Sequence, residues 1–352
     1  MKLIVTVDTE EDSWGHVRGS HYAVENIGAL PDFQKLCDEL GVKPTYLVTY
    51  PVVTDATAAA ILRTLLEDGN CEVGAHCHPW NTPPFEEPEC ERNSMLSNLS
   101  GDLQHKKMAV LHDAIERHLK ISVVSFRSGR WAYSQAVATN LAKLGYKVDS
   151  SITPFTDWTS VGGPDFSAVG PRVFRFSPDD FPHESPDGEL TEIPVTIGYV
   201  GWLGSDMQWC NAVQRVVQRE RFAQARVTGI LSKANLIRKV WLSPELSDAA
   251  EMIRLALHLK SQGYRFLNLT FHSPSLRAGL TPFVRTQQAE QRFWENLRQF
   301  FIFARDSGIE AVKLNDTMVK SAAPETGSIQ QPERTAESST IHGARPARDR
   351  VR

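Results

Sequence analysis

Several common signatures are absent from this chain of 352 residues. Its five cysteines are widely spaced and form no C-x-x-C pair, which argues against a disulfide framework and favours a reducing compartment. The net charge of −4 indicates no basic surface for nucleic acid. No stretch reaches about 18 uninterrupted apolar residues, so we expect no transmembrane helix. Only five apolar or small residues separate Lys2 from Asp8, too few for a signal peptide, and a cytoplasmic protein is expected.

Four catalytic sequence motifs are also missing. The chain contains no G-x-G-x-x-G, G-x-x-x-x-G-K-[ST], H-E-x-x-H or G-x-S-x-G. Their absence disfavours dinucleotide binding, a P-loop nucleotide site, a zincin-type protease and a serine hydrolase. With 41% hydrophobic and 23% charged residues, the composition is that of an ordinary globular protein.

Short apolar runs alternate with helical patterns along the chain. Strands are predicted at 2–7, 44–49, 71–75, 122–127, 146–150, 191–197, 265–271 and 310–314. Apolar residues spaced by three and four predict helices at 55–68, 102–119, 247–262 and 284–305. The alternation predicts an α/β fold with a parallel sheet, either a closed or partly closed (β/α) barrel or an open doubly wound sheet.

Two regions depart from this alternation. Residues 198–245 form a predicted helical insertion that is locally basic. We interpret it either as a solvated helical excursion or as a cap that meets an anionic or lipid-linked substrate. Residues 321–352 contain few large apolar residues and are expected to be a disordered tail after a main domain at 1–320.

Ionisable or metal-binding residues follow five of the predicted strands. They are Asp8 and Glu10, His76 and His78, Arg127, Asp149, and His272. Because parallel strands place their carboxyl ends at one edge of the sheet, we expect these side chains to meet. Residues two apart on an extended segment point the same way, so each of the two pairs can face one site.

The residue types at these strand ends suit metal chemistry. Two imidazoles and one carboxylate, from His76, His78 and Glu10, are typical ligands of zinc or another divalent first-row metal. A hydrogen-bonded structural pair of histidines is the alternative. Arg127 could pair with Asp8 and keep it ionised, or form a structural ion pair. His272 could exchange a proton near neutral pH, or cap the turn before Pro274.

Together these residues resemble the polysaccharide deacetylase family, the NodB-homology or carbohydrate esterase 4 group. The spaced Asp8-Thr9-Glu10 is similar to the branch that includes the WalW-like proteins of lipopolysaccharide biosynthesis. Arg127 in Phe-Arg-Ser-Gly-Arg-Trp and His272 in Leu-Thr-Phe-His match two further motifs. The resemblance covers the main domain apart from the insertion, and it implies a distorted (β/α) barrel of the NodB-homology type.

The resemblance implies a role for each catalytic residue. Asp8 would be the catalytic base, Arg127 would hold it, and His272 would be the catalytic acid. An acidic partner for His272 is expected at Asp149 or Asp157, because the corresponding family motif is degenerate here.

The resemblance also implies the metal ligands. Glu10, His76 and His78 would hold a divalent metal, with zinc as the expected ion. The two histidines of the family motif are usually four residues apart, whereas His76 and His78 are two apart.

The implied activity is metal-dependent removal of the N-acetyl group from an amino sugar. The sugar would belong to a glycan or to a lipid-linked or nucleotide-linked biosynthetic intermediate, with contact to lipid-linked substrate at the membrane surface. Trp80, Trp131 and Trp158 are candidates for stacking on sugar rings, or they pack within loops. The alternatives are an allantoinase-like amidohydrolase acting on a non-sugar amide and a catalytically silent glycan-binding protein.

Overall fold

The computed structural model describes residues 1–318 apart from 13, 16, 17, 20, 202–206 and 218–236, and apart from the side chains of 214–217. These residues belong to one compact unit, Met1–Ser321. The predicted disordered tail at 321–352 lies outside the described residues. No helix in the described part of the chain combines the length and the apolar character needed to cross a membrane.

Each of the predicted strands overlaps an observed one. The strands are β1 (Lys2–Thr9), β2 (Pro44–Val48), β3 (Glu72–Cys77), β4 (Ser125–Ser128), β5 (Val148–Asp149), β6 (Phe174–Phe176), β7 (Leu190–Glu192), β8 (Ile197–Val200), β9 (Arg238–Trp241), β10 (Phe266–His272) and β11 (Glu310–Ala311). Of these, β6, β8 and β9 were not predicted, because each is short and makes antiparallel pairs outside the strand–helix alternation.

The helices cover the strands. They are α1 (Leu30–Leu40), α2 (Tyr50–Thr54), α3 (Ala56–Glu67), α4 (Gly101–Leu119), α5 (Gln135–Lys143), α6 (Met207–Val217), α7 (Ala249–Ser261) and α8 (Gln287–Asp306). The four predicted helices correspond to α3, α4, α7 and α8. Side chains stop their first turns from fraying: Asp55 accepts from the backbone N–H groups of Thr57 and Ala58 at the start of α3. Asp248 and Glu251 form a capping box at the start of α7.

One sheet in the described residues has the strand order β10-β1-β2-β3-β4-β5-β7-β6, with β11 also paired to β1. Its pairs are parallel except that β6 runs antiparallel to β7. The register places Asp8 directly beside His272, and His76 directly beside Arg127. The α/β fold class is therefore confirmed, and the strand ends that carry the candidate residues share one edge of the sheet.

The sheet curls until its two sides meet. The backbone N–H of Thr196, which follows β7, donates to the carbonyl of Asn268 on β10 at 3.0 Å. The N–H of Thr270 donates to the carbonyl of Leu242, just after β9, at 3.1 Å. In the interior, the Asn268 side chain donates to Ser150 Oγ at 2.9 Å, although Ser150 follows β5. These contacts join distant strands of the order, which makes the sheet a distorted barrel.

The barrel interior changes from apolar to polar along β1. Ile4 packs with Leu47 and Ile193 in a buried cluster that is separate from the main core between the sheet and its helices. Because alternate residues of a strand share a face, Thr6 and Asp8 continue the same side of β1. Both are buried, and both bond to polar groups instead of apolar ones. The apolar cluster thus fills one end of the barrel and leaves the carboxyl end of the strands for polar chemistry.

The predicted helical insertion at 198–245 contains strands as well as a helix. β8 and β9 pair antiparallel as a separate two-stranded sheet, and α6 lies between them in sequence. Lys239 on β9 is tied down, since its ammonium donates to the carbonyl of Phe155 at 2.7 Å and to Thr156 Oγ1 at 2.9 Å. Most of the basic residues of the insertion lie outside the described side chains, so its interpretation as a cap stays a prediction.

Candidate active site

Asp8 and Arg127 form a buried ion pair at the carboxyl ends of β1 and β4. Arg127 Nη1 lies 2.6 Å from Asp8 Oδ1, and the two side chains are 0% and 2% exposed. Burial by itself would raise the pKa of Asp8, but the positive charges of Arg127 and His272 outweigh burial and lower it. Asp8 is therefore an ionised carboxylate, ready to accept a proton.

The orientation of Arg127 is determined by the barrel interior. Its Nε donates to the carbonyl of Ser150 at 2.7 Å, and its Nη2 donates to Thr6 Oγ1 and Ser150 Oγ, each at 2.8 Å. Its Nη1 donates to Thr270 Oγ1 at 2.8 Å as well as to Asp8. All five N–H groups of the guanidinium are thereby engaged, so the group can hold Asp8 in one position.

Glu10, His76 and His78 bring three donor atoms together beside this pair. The donor atoms all lie within 4.8 Å of one another. Glu10 Oε2 is 3.0 Å from His78 Nε2 and 3.8 Å from His76 Nε2. The two imidazole rings meet edge to face at 4.5 Å between centroids. The predicted donor set is assembled, including His78, whose spacing from His76 departs from the family motif.

The histidines of this cluster have the protonation state that ligands need. Burial lowers the pKa of His76 and of His78 to about 4 each, so both rings are neutral at pH 7. His76 Nδ1–H donates to the carbonyl of Arg127 at 3.1 Å, which leaves the lone pair of Nε2 facing Glu10. Burial raises the pKa of Glu10, and the charge of His272 opposes that shift.

Close packing holds the His78 ring from both sides. Trp80 packs against it at a tilt of 38°, with centroids 4.0 Å apart. On another side is Gly129, where an added Cβ would come within 2.2 Å of His78 Nδ1. The absence of a side chain at Gly129 is therefore what allows the ring to occupy this position.

His272 lies opposite Arg127 across Asp8. Its Nε2 is 3.8 Å from Asp8 Oδ2, the carboxylate oxygen that Arg127 does not contact. Its Nδ1–H donates to Glu245 Oε2 at 3.0 Å. Burial would lower the pKa of His272, but Glu245, Glu10 and Asp8 raise it to about 10. The imidazole is therefore protonated at neutral pH and can act as an acid.

Glu245 replaces the two acidic partners that the sequence suggested for His272. The prediction of Asp149 or Asp157 was wrong: Asp149 accepts from Ser151 Oγ at 2.7 Å, and Asp157 caps the N–H of Thr159 at 2.8 Å. Glu245 was not predicted because it lies in the loop after β9 and does not directly follow a predicted strand. In the sequence it is marked only by its position three residues before Asp248, which caps the start of α7.

Two further acids, Glu11 and Asp12, follow Glu10 in the chain and are held by hydrogen bonds to neighbouring loops. Glu11 accepts from Asn81 Nδ2 at 2.9 and 3.0 Å. Asp12 lies past the strand and accepts from the N–H groups of Glu25 and Asn26, each at 2.9 Å.

The tryptophans divide between packing and the site surface. Trp80 is only 7% exposed, and Trp158 donates its indole N–H to Thr153 Oγ1 at 2.8 Å, so both pack within loops. The half-buried Trp131 covers the Arg127 guanidinium, whose Cζ lies 5.1 Å from the ring centroid. Trp14, which was not predicted, is 47% exposed and meets His272 edge-on at 4.9 Å.

Comparisons with known proteins find similarity in structure alone. No protein family model matches the chain, and no curated protein matches it. A protein assigned as a polysaccharide deacetylase from Mycobacterium smegmatis has a TM-score of 0.49 at 14% identity, covering 94% of this chain and 95% of its own. The Xyl-CE4 domain of a xylanase from the hindgut metagenome of Trinervitermes trinervoides has a TM-score of 0.40 at 11% identity, covering 89% and 87%. The α-amylase AmyC from Thermotoga maritima has a TM-score of 0.49 at 11% identity, covering 92% and 75%.

The WalW-like branch of the family resemblance stays a prediction. Similarity at this level does not define an activity, because one fold hosts many reactions. The activity has to be argued from the residues of the site.

Proposed function

We propose that this protein is a metal-dependent hydrolase that removes the N-acetyl group from an amino sugar. One observation carries the proposal: an ionised Asp8 lies between Arg127 and a protonated His272. This base and acid adjoin the donor cluster of Glu10 and the two histidines. Amide hydrolysis needs these functions together: a base for water, an acid for the amine, and a group that polarises the carbonyl.

Asp8 and His272 divide the proton transfers. Asp8 takes a proton from the water that attacks the acetyl carbonyl, while Arg127 keeps the carboxylate in place. His272 then gives its Nε2 proton to the departing nitrogen, because an amine leaves poorly as an anion. Glu245 holds the imidazole through Nδ1, so that Nε2 faces the reacting groups.

The donor cluster fits a divalent metal. Two neutral imidazoles and a carboxylate form a set with positions left for water and substrate, and zinc is the ion that such a set suits. A bound metal would polarise the acetyl carbonyl and make water more acidic. Glu10, His76 and His78 would hold it.

An aromatic wall beside the acid favours a sugar over another amide. Trp14 and Phe283 meet edge to face at 5.3 Å, and Phe283 lies nearly parallel to the His272 ring at 6.3 Å. The exposed part of Trp14 offers an apolar face next to the reacting groups. Sugar rings stack on such faces through their C–H groups, so an amino sugar can be held against the acid. The sugar could belong to a glycan or to a lipid-linked or nucleotide-linked intermediate, and assays with one substrate of each class distinguish these cases.

Acetate release tests the proposal directly. The full-length protein is incubated with N-acetylglucosamine oligomers, an N-acetylated sugar nucleotide and a lipid-linked N-acetylated sugar, with added zinc or with a chelator. We expect acetate from at least one class, dependent on zinc and absent from the Asp8→Asn variant.

Two other outcomes would reject this function. Zinc-loaded protein that binds the sugars without releasing acetate would instead be a silent glycan-binding protein. Turnover of a non-sugar cyclic amide, with no acetate from any sugar, would support the allantoinase-like alternative. An unchanged rate in Asp8→Asn would remove Asp8 from the role of base.

A further inference from the structure

Lys107 on α4 has a fully buried side chain that the proposed chemistry does not use. Its ammonium donates to three backbone carbonyls, those of Pro79 at 2.9 Å, Thr82 at 2.8 Å and Pro84 at 2.7 Å. The carboxylate of Glu87 is 3.1 Å away, and the two side chains are 0% and 5% exposed. The charge is thus removed from water and surrounded entirely by residues 79–87.

These residues form the loop that directly follows His78. Pro79 is the next residue in the chain, and Trp80 packs against the His78 ring. The loop is held at its far end as well, since Arg18 pairs with Glu87 at 2.7 Å. The Tyr22 hydroxyl donates to the carbonyl of Trp80 at 3.0 Å. Lys107 is therefore the central anchor of a segment whose first residues position a donor of the site.

Burying a lysine is a costly way to stabilise a helix packing surface. A buried ammonium is tolerated only when charge and hydrogen bonds compensate its desolvation, and an apolar residue of similar length would pack without that cost. The other buried positions of α4 are apolar, as a packing role requires, except for Gln104. Three carbonyls that accept from one ammonium hold the loop in a single conformation. Apolar contacts are not directional and would constrain the loop less tightly.

We infer that Lys107 is a positioning residue for the metal centre, which holds the 79–87 loop so that His78 Nε2 faces Glu10. This inference rests on the proposed metal site. His78 is the donor at stake because His76 lies within β3, where the strand ladder and the Arg127 carbonyl already hold it. His78 lies just past the strand and depends on the loop.

Metal affinity of the full-length protein tests this role. Zinc dissociation constants are measured by competition with a chromophoric chelator for wild type and Lys107→Met. We expect the constant to rise roughly 10–100-fold, the range known for residues that support metal ligands. Thermal unfolding of the metal-free proteins is measured alongside, so that affinities are compared between folded samples.

The neighbouring Lys106 supplies a matched control. Its side chain is 53% exposed and pairs with Glu86 at 2.9 Å, so Lys106→Met removes an equal charge without touching the loop carbonyls. We expect its zinc affinity to equal that of wild type. Glu87→Gln serves as a milder second variant, because it weakens the contacts of Glu87 with Lys107 and Arg18 and leaves the three carbonyl contacts of Lys107 in place; we expect a smaller rise in the dissociation constant.

The outcomes separate this inference from the function on which it rests. A wild-type protein that binds no zinc would overturn the metal centre and this role with it. A wild-type protein that binds zinc, with Lys107→Met folded and equally tight, would overturn the role of Lys107 alone. If Lys107→Met does not fold, Glu87→Gln decides: an unchanged dissociation constant overturns the role, and a raised one supports it.

Discussion

Two buried carboxylates lie at opposite ends of the barrel strands and differ in what surrounds them. Asp8, near the end of β1, meets the guanidinium of Arg127 at 2.6 Å. Glu72, the first residue of β3, meets neutral donors: Ser125 Oγ at 2.5 Å and the N–H of Asn315 at 2.9 Å. Burial outweighs those hydrogen bonds and raises the pKa of Glu72, whereas cations lower that of Asp8.

Glu72 has a structural role, whereas Asp8 has the charge state of a catalytic base. Burial raises the pKa of both carboxylates, so their depth in the protein does not distinguish them. The charges of neighbouring side chains distinguish them. Glu72 ties strand starts together, while Asp8 is kept ionised among groups that can exchange protons. Substitutions at the two ends should therefore have different consequences.

The largest effect is expected from His76→Ala. Removing one donor of the cluster should abolish stoichiometric zinc binding, and with it all acetate release above the level of chelated wild type. Elemental analysis of the purified variant and the acetate assay check both parts. Full zinc content in His76→Ala would remove this residue from the donor set.

Asp8→Asn should separate catalysis from metal content. The amide cannot take a proton from water, and losing the general base should cost about 10²–10⁴-fold in kcat. Zinc content should stay near that of wild type because Asp8 is not one of the clustered donors. Steady-state kinetics and elemental analysis on the same preparation provide the test, and a variant that loses its zinc would contradict this division of roles.

Glu245→Gln should change the pH profile more than the maximal rate. His272 must be protonated to act as acid, and the charge of Glu245 raises its pKa well above the usual value of 6.5, so kcat/KM of wild type should fall on the alkaline side of the profile. Removing the charge of Glu245 should lower the pH at which kcat/KM falls on the alkaline side by about 1–3 units. The profile of kcat/KM against pH measures the shift. Asp157→Asn is the control, and a shift there with none in Glu245→Gln would restore the sequence-based assignment.

Glu72→Gln should leave kcat/KM unchanged and affect stability alone. A carboxyl whose pKa is raised by folding contributes stability below its unfolded pKa and loses it as pH rises through the folded value. The stability advantage of wild type over Glu72→Gln should thus shrink as pH rises above the unfolded value of 4.5. For Asp8, whose pKa is lowered, the contribution is lost as pH falls. Urea unfolding at several pH values measures both trends, and parallel trends would break the comparison.

Much of the fold could be predicted from the sequence. Each predicted strand and the four predicted helices correspond to observed elements, because buried parallel strands and amphipathic helices have distinct apolar periods. α1 and α5 were missed, although α1 has a Pro in its first turn and a Gly after its last residue, as helices often do. The strand–helix alternation left a barrel and an open sheet as alternatives, and the family resemblance implied the barrel. The backbone contacts that close it, such as that of Thr196 with Asn268, follow from no sequence pattern.

The sequence by itself determined which strand ends carry the candidate site residues. Asp8, Glu10, His76, Arg127 and His272 meet because parallel strands deliver their carboxyl ends to one edge, a consequence of topology that needs no side-chain detail. Only the tertiary structure decided which groups complete them. Glu245 supports His272, Trp14 lines the surface and Lys107 anchors the loop of His78, and each comes from a loop or helix whose position follows no periodic pattern. Periodicity specifies the direction of a side chain along its own element, whereas contacts between elements depend on how the whole chain packs.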